Sequence, residues 1–324
     1  MVTGGAGFIG SHVCEALLKK GYDVVIVDDF NDYYDPANKE RNCDTIRETA
    51  VSLDRPDSLV ICRGDILDKD FLNSVFEKYN FKAVLHLAAC TGVRSSITEA
   101  VKFLNVNLNG TVNILECMRD HGVKKHIFAS SSSVYGKNKV PFSEYDPADS
   151  PISPYAVSKR AAELICSTYL HLNGISTVCL RFFTVYGPRQ RPDLAIRKFT
   201  SLISEGKSIP VFGDGNTRRD YTYVDDTVNG VVHALEWVLN QDRCFEIFNL
   251  GESETISLTE MIESIARHLD KKPIIERLPK QPGDMDVTNA DISKARAVLG
   301  YSPKVDFDKG MKRYIEWYKS EFGI

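Results

Sequence analysis

The sequence predicts a doubly wound α/β fold in which a parallel sheet carries a smaller C-terminal α/β substrate-binding domain. Three observations lead there. Short apolar runs alternate with helix-like stretches from Thr3 to about Arg181, a glycine-rich turn opens the first helix, and the alternation weakens after Pro188. Repeated strand–helix–strand units call for parallel strands joined by crossover helices.

Met1-Val2 runs straight into Thr3-Gly4-Gly5, so the first strand has almost no residues of its own. Either that strand is cut short or the native chain begins upstream. Lost ladder hydrogen bonds and apolar burial in a central strand would lower stability. Ser11 to Lys20 reads as a helix ended by Gly21. Val24 to Val27, Ala83 to Leu87, His126 to Ala129 and Thr177 to Leu180 are short apolar runs of the kind buried parallel strands use. Lys69 to Tyr79, Asn107 to His121 and Tyr155 to Leu172 supply helices between them. Beyond Pro188, loops, prolines and short helices form a lid, with helices expected over Ala234 to Asn240 and Leu258 to Leu269. Phe245 to Leu250 reads as a returning strand, so the two parts interleave.

The glycines of Thr3-Gly4-Gly5-Ala6-Gly7-Phe8-Ile9-Gly10 stand where the first helix begins. Glycine permits the tight turn and lets backbone N–H groups at the helix start, around Gly4, Gly7, Phe8, Ile9 and Gly10, approach a pyrophosphate. Asp28 ends the next strand roughly twenty residues on, where a carboxylate can hold ribose hydroxyls. Asp29 doubles the negative charge and would repel a 2′-phosphate, which favours NAD over NADP. Gly64-Asp65-Ile66 either sets Asp65 and Ile66 against the adenine or is an ordinary turn. The fold is thus expected to be Rossmann-type. Residues 1–181, rejoined by about 222–250, would bind NAD, and about 182–221 with 251–324 would bind the substrate.

Chemistry concentrates after Ser153-Pro154. Ser153 suits a helix cap and Pro154 the first helical position, so Tyr155 should open a helix. Lys159 lies four residues on and projects from the same face. A cation there, with the positive end of the helix dipole, would lower the tyrosine pKa and make Tyr155 a general base.

Hydrophobic residues at 43% and charged residues at 26% fit a soluble globular protein, and a net charge of −4 argues against nucleic acid or an anionic membrane as partner. The eight cysteines form no Cys-x-x-Cys pair, so no metal site is expected and reduced thiols in the cytoplasm are the default. No apolar run approaches the eighteen or so residues of a membrane span.

With the glycine turn, Asp28, the Ser130-Ser131-Ser132-Ser133-Val134-Tyr135-Gly136 strand end and Tyr155/Lys159 in this order, the chain resembles the extended short-chain dehydrogenase/reductase family. Within it, the chain is similar to the sugar-nucleotide 4-epimerases along nearly its whole length. The resemblance implies tightly held NAD, a UDP-sugar substrate, and a homodimer built through the helices near 107–120 and 155–172. It also implies Ser131 as the third catalytic residue: Tyr155 takes the proton of the sugar 4-hydroxyl, Ser131 bonds the reacting oxygen, and Lys159 holds the nicotinamide ribose and keeps Tyr155 acidic. The net activity would be isomerase, with NAD returned unchanged.

The residues after Ser131 bear on the sugar. Related dehydratases carry Asp-Glu there and related decarboxylases a Glu at the second position; Ser132 and Ser133 stand here. Without a carboxylic acid, elimination lacks its acid–base pair, and two hydroxyls suit a substrate that brings its own carboxylate. The alternative is that they merely finish a polar strand end. Asp29 to Pro36, Thr184 within Arg181 to Pro188, Arg189 to Ala195, and Gln281-Pro282-Gly283-Asp284 are similar to the corresponding segments of uronate epimerases. The resemblance therefore implies UDP-glucuronate, exchanged with UDP-galacturonate. Ser132, Ser133 and Thr184 would bond the carboxylate, with Arg191 and Arg94 as anionic-substrate contacts. Phe212 would stack on uracil, Arg219 reach the diphosphate and Asp284 the uridine ribose. The alternatives are a UDP-glucose or UDP-N-acetylglucosamine 4-epimerase, a UDP-glucuronate decarboxylase, and a catalytically silent NAD-binding protein.

Overall fold

The computed structural model describes residues 1–279 and 285–324. In chain order its strands are β1 (Val2–Thr3), β2 (Val24–Asp28), β3 (Leu59–Arg63), β4 (Val84–His86), β5 (Lys125–Ser131), β6 (Ser176–Phe182), β7 (Thr184–Tyr186), β8 (Ser208–Phe212), β9 (Arg218–Arg219), β10 (Tyr221–Tyr223), β11 (Phe245–Leu250), β12 (Ile256–Ser257) and β13 (Ile274–Leu278). The helices are α1 (Phe8–Lys19), α2 (Ala37–Ser52), α3 (Lys69–Lys78), α4 (Val93–Thr98), α5 (Ala100–Leu104), α6 (Gly110–Asp120), α7 (Pro154–Asn173), α8 (Ala195–Ser204), α9 (Val224–Leu239), α10 (Leu258–Leu269), α11 (Ser293–Leu299) and α12 (Phe307–Phe322).

A 7-stranded sheet runs β11-β6-β5-β4-β1-β2-β3, with every neighbouring pair parallel. Strand order reverses between β1 and β4, and a ligand crevice opens at the carboxyl ends of strands beside such a reversal. Alternate strand residues face opposite sides. Val24 and Ile26 therefore join one core with Val2, Leu85, Ile127 and Val178, while Val25 and Val27 join another with Val84, Phe128 and Cys179. β1 is as short as the sequence implies, yet both its residues are buried, and the Met1 carbonyl extends its ladder by accepting from Leu85 N–H at 2.9 Å. Outside the sheet, β7 pairs with β10, β8 with β13, and β9 with β12.

Three elements differ from the sequence-based expectation. α2 was not expected, because its buried stripe is Lys39, Asn42, Cys43, Ile46 and Ala50, which does not read as apolar. α9 begins at Val224, ten residues before the expected start at Ala234. Gly230 looks like a break there but is a packing requirement: a Cβ would stand 2.8 Å from both Leu250 methyls. The expected 107–121 helix is a π-helical turn, Asn105–Asn109, followed by α6.

Candidate active site

At the β1–α1 turn, Gly4 has φ +69°, and a Cβ there would lie 2.7 Å from the Ala88 nitrogen. A Cβ on Gly10 would lie 2.1 Å from the Gly4 carbonyl oxygen. These glycines are therefore required by close backbone approach. Gly7 is the N-cap of α1 and offers no side chain, which leaves N–H groups of the Phe8–Ile9–Gly10 turn open for an anion.

The Asp28 carboxylate at the end of β2 accepts from Ala6 N–H at 3.1 Å, Phe30 N–H at 3.0 Å and the Lys39 ammonium at 3.0 Å. Lys39, on α2, was missed by sequence reasoning; it also reaches Asp29 at 3.4 Å. Burial opposes the Asp29 charge, but hydrogen bonds from Asn31 and the Lys39 charge outweigh it and hold that carboxyl low. This corner therefore carries two carboxylates and one buried ammonium, so its net charge is one negative, not the two the sequence suggested. Asp65 is exposed and caps its own turn by accepting from Leu67 N–H at 2.9 Å; Ile66 is buried against Gly110. The glycine cradle, the open helix start and Asp28 fit the pyrophosphate and ribose of NAD.

Helix α7 begins as its sequence implies. Ser153 caps α7, accepting from Ala156 N–H at 3.2 Å, and Pro154 occupies the first turn. Half-buried Tyr155 meets Phe103 edge to face at 6.2 Å. Burial raises the Tyr155 phenol pKa, while the Ser131 hydroxyl and the Arg191 charge pull against it. Lys159 does not perform the expected lowering. Its ammonium donates to the Ala129 carbonyl at 2.7 Å and lies over the Phe128 ring at 4.9 Å. Burial brings the Lys159 pKa down to about 8.

Ser131 ends β5 and accepts from Ser133 twice, from the backbone N–H at 3.2 Å and the hydroxyl at 2.9 Å. Ser132 and Ser133 open the Ser132–Tyr135 turn, and both are half-buried. Thr184 begins β7, its N–H donating to the Asp220 carbonyl at 3.0 Å. Arg191 chelates Asp193 at 3.0 and 2.8 Å, donates to Thr91 Oγ1, and lies over the Tyr33 ring at 5.5 Å. It therefore joins the loop after β7 to the loops after β2 and β4. Arg94 lies over the Phe212 ring at 5.2 Å, and Arg219 donates to the Arg218 carbonyl at 2.9 Å. Asp284, with Gln281, Pro282 and Gly283, lies outside the described residues.

Comparison with known proteins agrees with this geometry. The sequence pattern of the family described as GDP-mannose 4,6 dehydratase matches residues 1–314. A UDP-glucuronate 4-epimerase of Thermodesulfobacterium geofontis is 41% identical over 325 residues, covering 100% of this chain and 97% of that protein. The crystal structure of UDP-glucuronic acid 4-epimerase from Bacillus cereus, in complex with UDP-glucuronic acid and NAD, superposes with a TM-score of 0.90 at 37% identity over 99% of both chains. Thermus thermophilus UDP-glucose 4-epimerase with NAD gives 0.85 at 32% identity over 98% of both. The family description names a dehydratase; in this chain Ser132 and Ser133, not carboxylic acids, follow Ser131. On its sequence pattern, its relatives and its sheet, the chain belongs to this family of NAD-dependent, extended short-chain dehydrogenase/reductase enzymes that act on nucleotide sugars.

Proposed function

We propose that the protein interconverts UDP-glucuronate and UDP-galacturonate by inverting carbon 4 through a transient 4-keto sugar. The observation that carries this reading is the Tyr155–Ser131–Ser133 chain of hydroxyls on a Rossmann sheet, with no carboxylic acid following Ser131. NAD, held by Gly4, Gly7, Phe8, Ile9, Gly10 and Asp28, supplies hydride exchange at carbon 4. Tyr155 takes the proton from the 4-hydroxyl and returns it, Ser131 bonds the same oxygen, and the buried Lys159 ammonium holds the nicotinamide ribose. Ser132, Ser133 and Thr184 bond the sugar carboxylate, Arg191 and Arg94 face the anionic substrate, and Phe212, Arg219 and Asp284 hold the uridine diphosphate.

A 4-keto uronate is a β-keto acid, prone to lose carbon dioxide when its carboxylate bond aligns with the carbonyl π-system. Hydroxyls that fix the carboxylate's rotation oppose that alignment. The division of the chain into 1–181 with about 222–250 for NAD, and about 182–221 with 251–324 for the UDP-sugar, is part of this reading.

The protein is read as a homodimer. Val101 on α5 is 82% exposed, and Leu164 and Leu172 on α7, which packs against α5, are 54% and 69% exposed, apolar side chains that a partner could cover. The exposed residues come from α5 and α7, whereas Ile114, Leu115 and Met118 of α6 point inward. Eight free cysteines agree with a cytoplasmic setting, and no helix among the described residues is long and apolar enough to cross a membrane.

Proton NMR of the purified protein with UDP-glucuronate and, separately, UDP-glucose tests the function through the anomeric signals. UDP-galacturonate formed from the first alone supports it. Epimerisation of UDP-glucose in preference would overturn the assigned roles of Ser132, Ser133 and Thr184.

A further inference from the structure

Ser130 precedes Ser131 on β5, and strand alternation sends its side chain to the opposite face. There its hydroxyl donates to Glu163 Oε1 at 2.6 Å. Glu163 follows Tyr155 and Lys159 at four-residue steps on α7, and its side chain has 0% exposure. Arg181 of β6 is in register with Ser130 and grips the same carboxylate with two prongs, Nε at 2.9 Å and Nη2 at 2.8 Å. Arg160 adds a bond from Nη1 at 2.9 Å. The Arg181 guanidinium also lies over the Tyr135 ring at 4.6 Å, and Tyr135 closes the turn that carries Ser132 and Ser133.

One carboxylate therefore ties together the helix of Tyr155 and Lys159, the strand end of Ser131 and the turn of the two following serines. Stability alone explains such an arrangement poorly. Removing two charges from water costs several kcal/mol per ion, and well-packed apolar side chains of similar volume often do as well or better. Arg181 Nη1 is buried with no hydrogen-bond partner, which adds to the cost. What the ion pair supplies is direction: a planar fork on a carboxylate fixes distance and angle together.

We propose that Glu163, locked by Arg181 and Ser130, is a positioning residue that holds Ser131 opposite Tyr155 and so governs proton transfer at the sugar oxygen. Neither Glu163 nor Ser130 is assigned any contact with substrate or cofactor. This inference rests on the epimerase reading above and deepens it.

The test uses the full-length, NAD-loaded protein and three variants, with kcat, KM for UDP-glucuronate and Tm measured for each. Ser130→Ala removes one bond to the carboxylate and should lower kcat about tenfold with KM nearly unchanged and Tm reduced; Ser130→Thr, which keeps the hydroxyl, should restore both kcat and Tm. Glu163→Gln should lower kcat about a hundredfold, again without a matching change in KM. If Glu163→Gln fails to fold, the two Ser130 variants decide alone. Folded variants with wild-type kcat, or a loss confined to KM or Tm, overturn the inference while leaving the epimerase reading intact. An inert wild-type protein sinks the reading itself and this inference with it.

Discussion

The Asp28 carboxylate and the Lys39 ammonium lie 3.0 Å apart, with side-chain exposures of only 4% and 6%. Asp28 closes the strand beside the glycine turn, and Lys39 reaches it from a helix that the hydrophobic pattern does not reveal. Removing one member of a buried pair leaves the other charge uncompensated, which is costlier than never burying the pair. Lys39→Met is expected to destabilise the protein by about 3 kcal/mol, reduced by whatever the two backbone N–H groups on Asp28 retain. A fall in the urea midpoint checks this, and an unchanged midpoint would mean that the carboxylate is adequately held by Ala6 and Phe30 alone.

Lys159 makes the reaction and the stability depend on pH in opposite senses. Its pKa is lowered by burial to about 8, so the ammonium is lost as pH rises through that value. On its proposed role, the catalytic rate should decline on the alkaline side from about 8, because the ammonium that would hold the nicotinamide ribose is lost. Stability moves the other way. Above the folded value and up to the ordinary 10.5, the unfolded chain holds a proton that the folded chain has released, so this group's contribution to stability increases with pH. Denaturation at several pH values should show that slope in the wild type and a smaller one in Lys159→Met.

The hydroxyls after Ser131 should separate epimerisation from decarboxylation. Each hydrogen bond to a carboxylate is worth about 1.5–3 kcal/mol, so Ser132→Ala with Ser133→Ala should raise KM for UDP-glucuronate tenfold or more. The same variant should release carbon dioxide and a UDP-pentose, because the carboxylate of the keto sugar can then rotate. Trapping the gas and resolving the nucleotide sugars by chromatography measures both. An intact product ratio would remove these two serines from the control of decarboxylation.

Leu164 tests the proposed dimer. It is 54% exposed on the face of α7 that also carries Leu172. Leu164→Glu places a charge where a symmetric partner would have to bury it, and it would meet its own copy across a two-fold axis. Light scattering should report a shift from dimer to monomer at micromolar protein. Unchanged mass in the variant, or a monomeric wild type, would count against the α5–α7 interface.

Much of the fold was legible because its signals are local. The apolar runs of β2, β4, β5 and β6 lie in single stretches of chain, and the cap of α7 is a contiguous Ser-Pro-Tyr. The same holds for the glycine cradle, whose constraint arises between Gly4 and Gly10 only six residues apart. What failed to read was polar material placed inside. Lys39 and Asn42 look like a solvent face until Asp28 and the Ala6 carbonyl are brought to them.

By itself, the sequence determined the parallel sheet, the glycine turn that opens α1 and the capped start of α7, since each depends on residue type and short spacing. Only the tertiary structure decided the proton affinities and the company each charge keeps. Lys159 turned to the Ala129 carbonyl and Phe128, not to lowering Tyr155, and Glu163 of α7 met Ser130 and Arg181 from two neighbouring strands. Burial and electrostatic pairing are properties of the space between elements, and no stretch of chain carries them before the sheet and helices have closed around it.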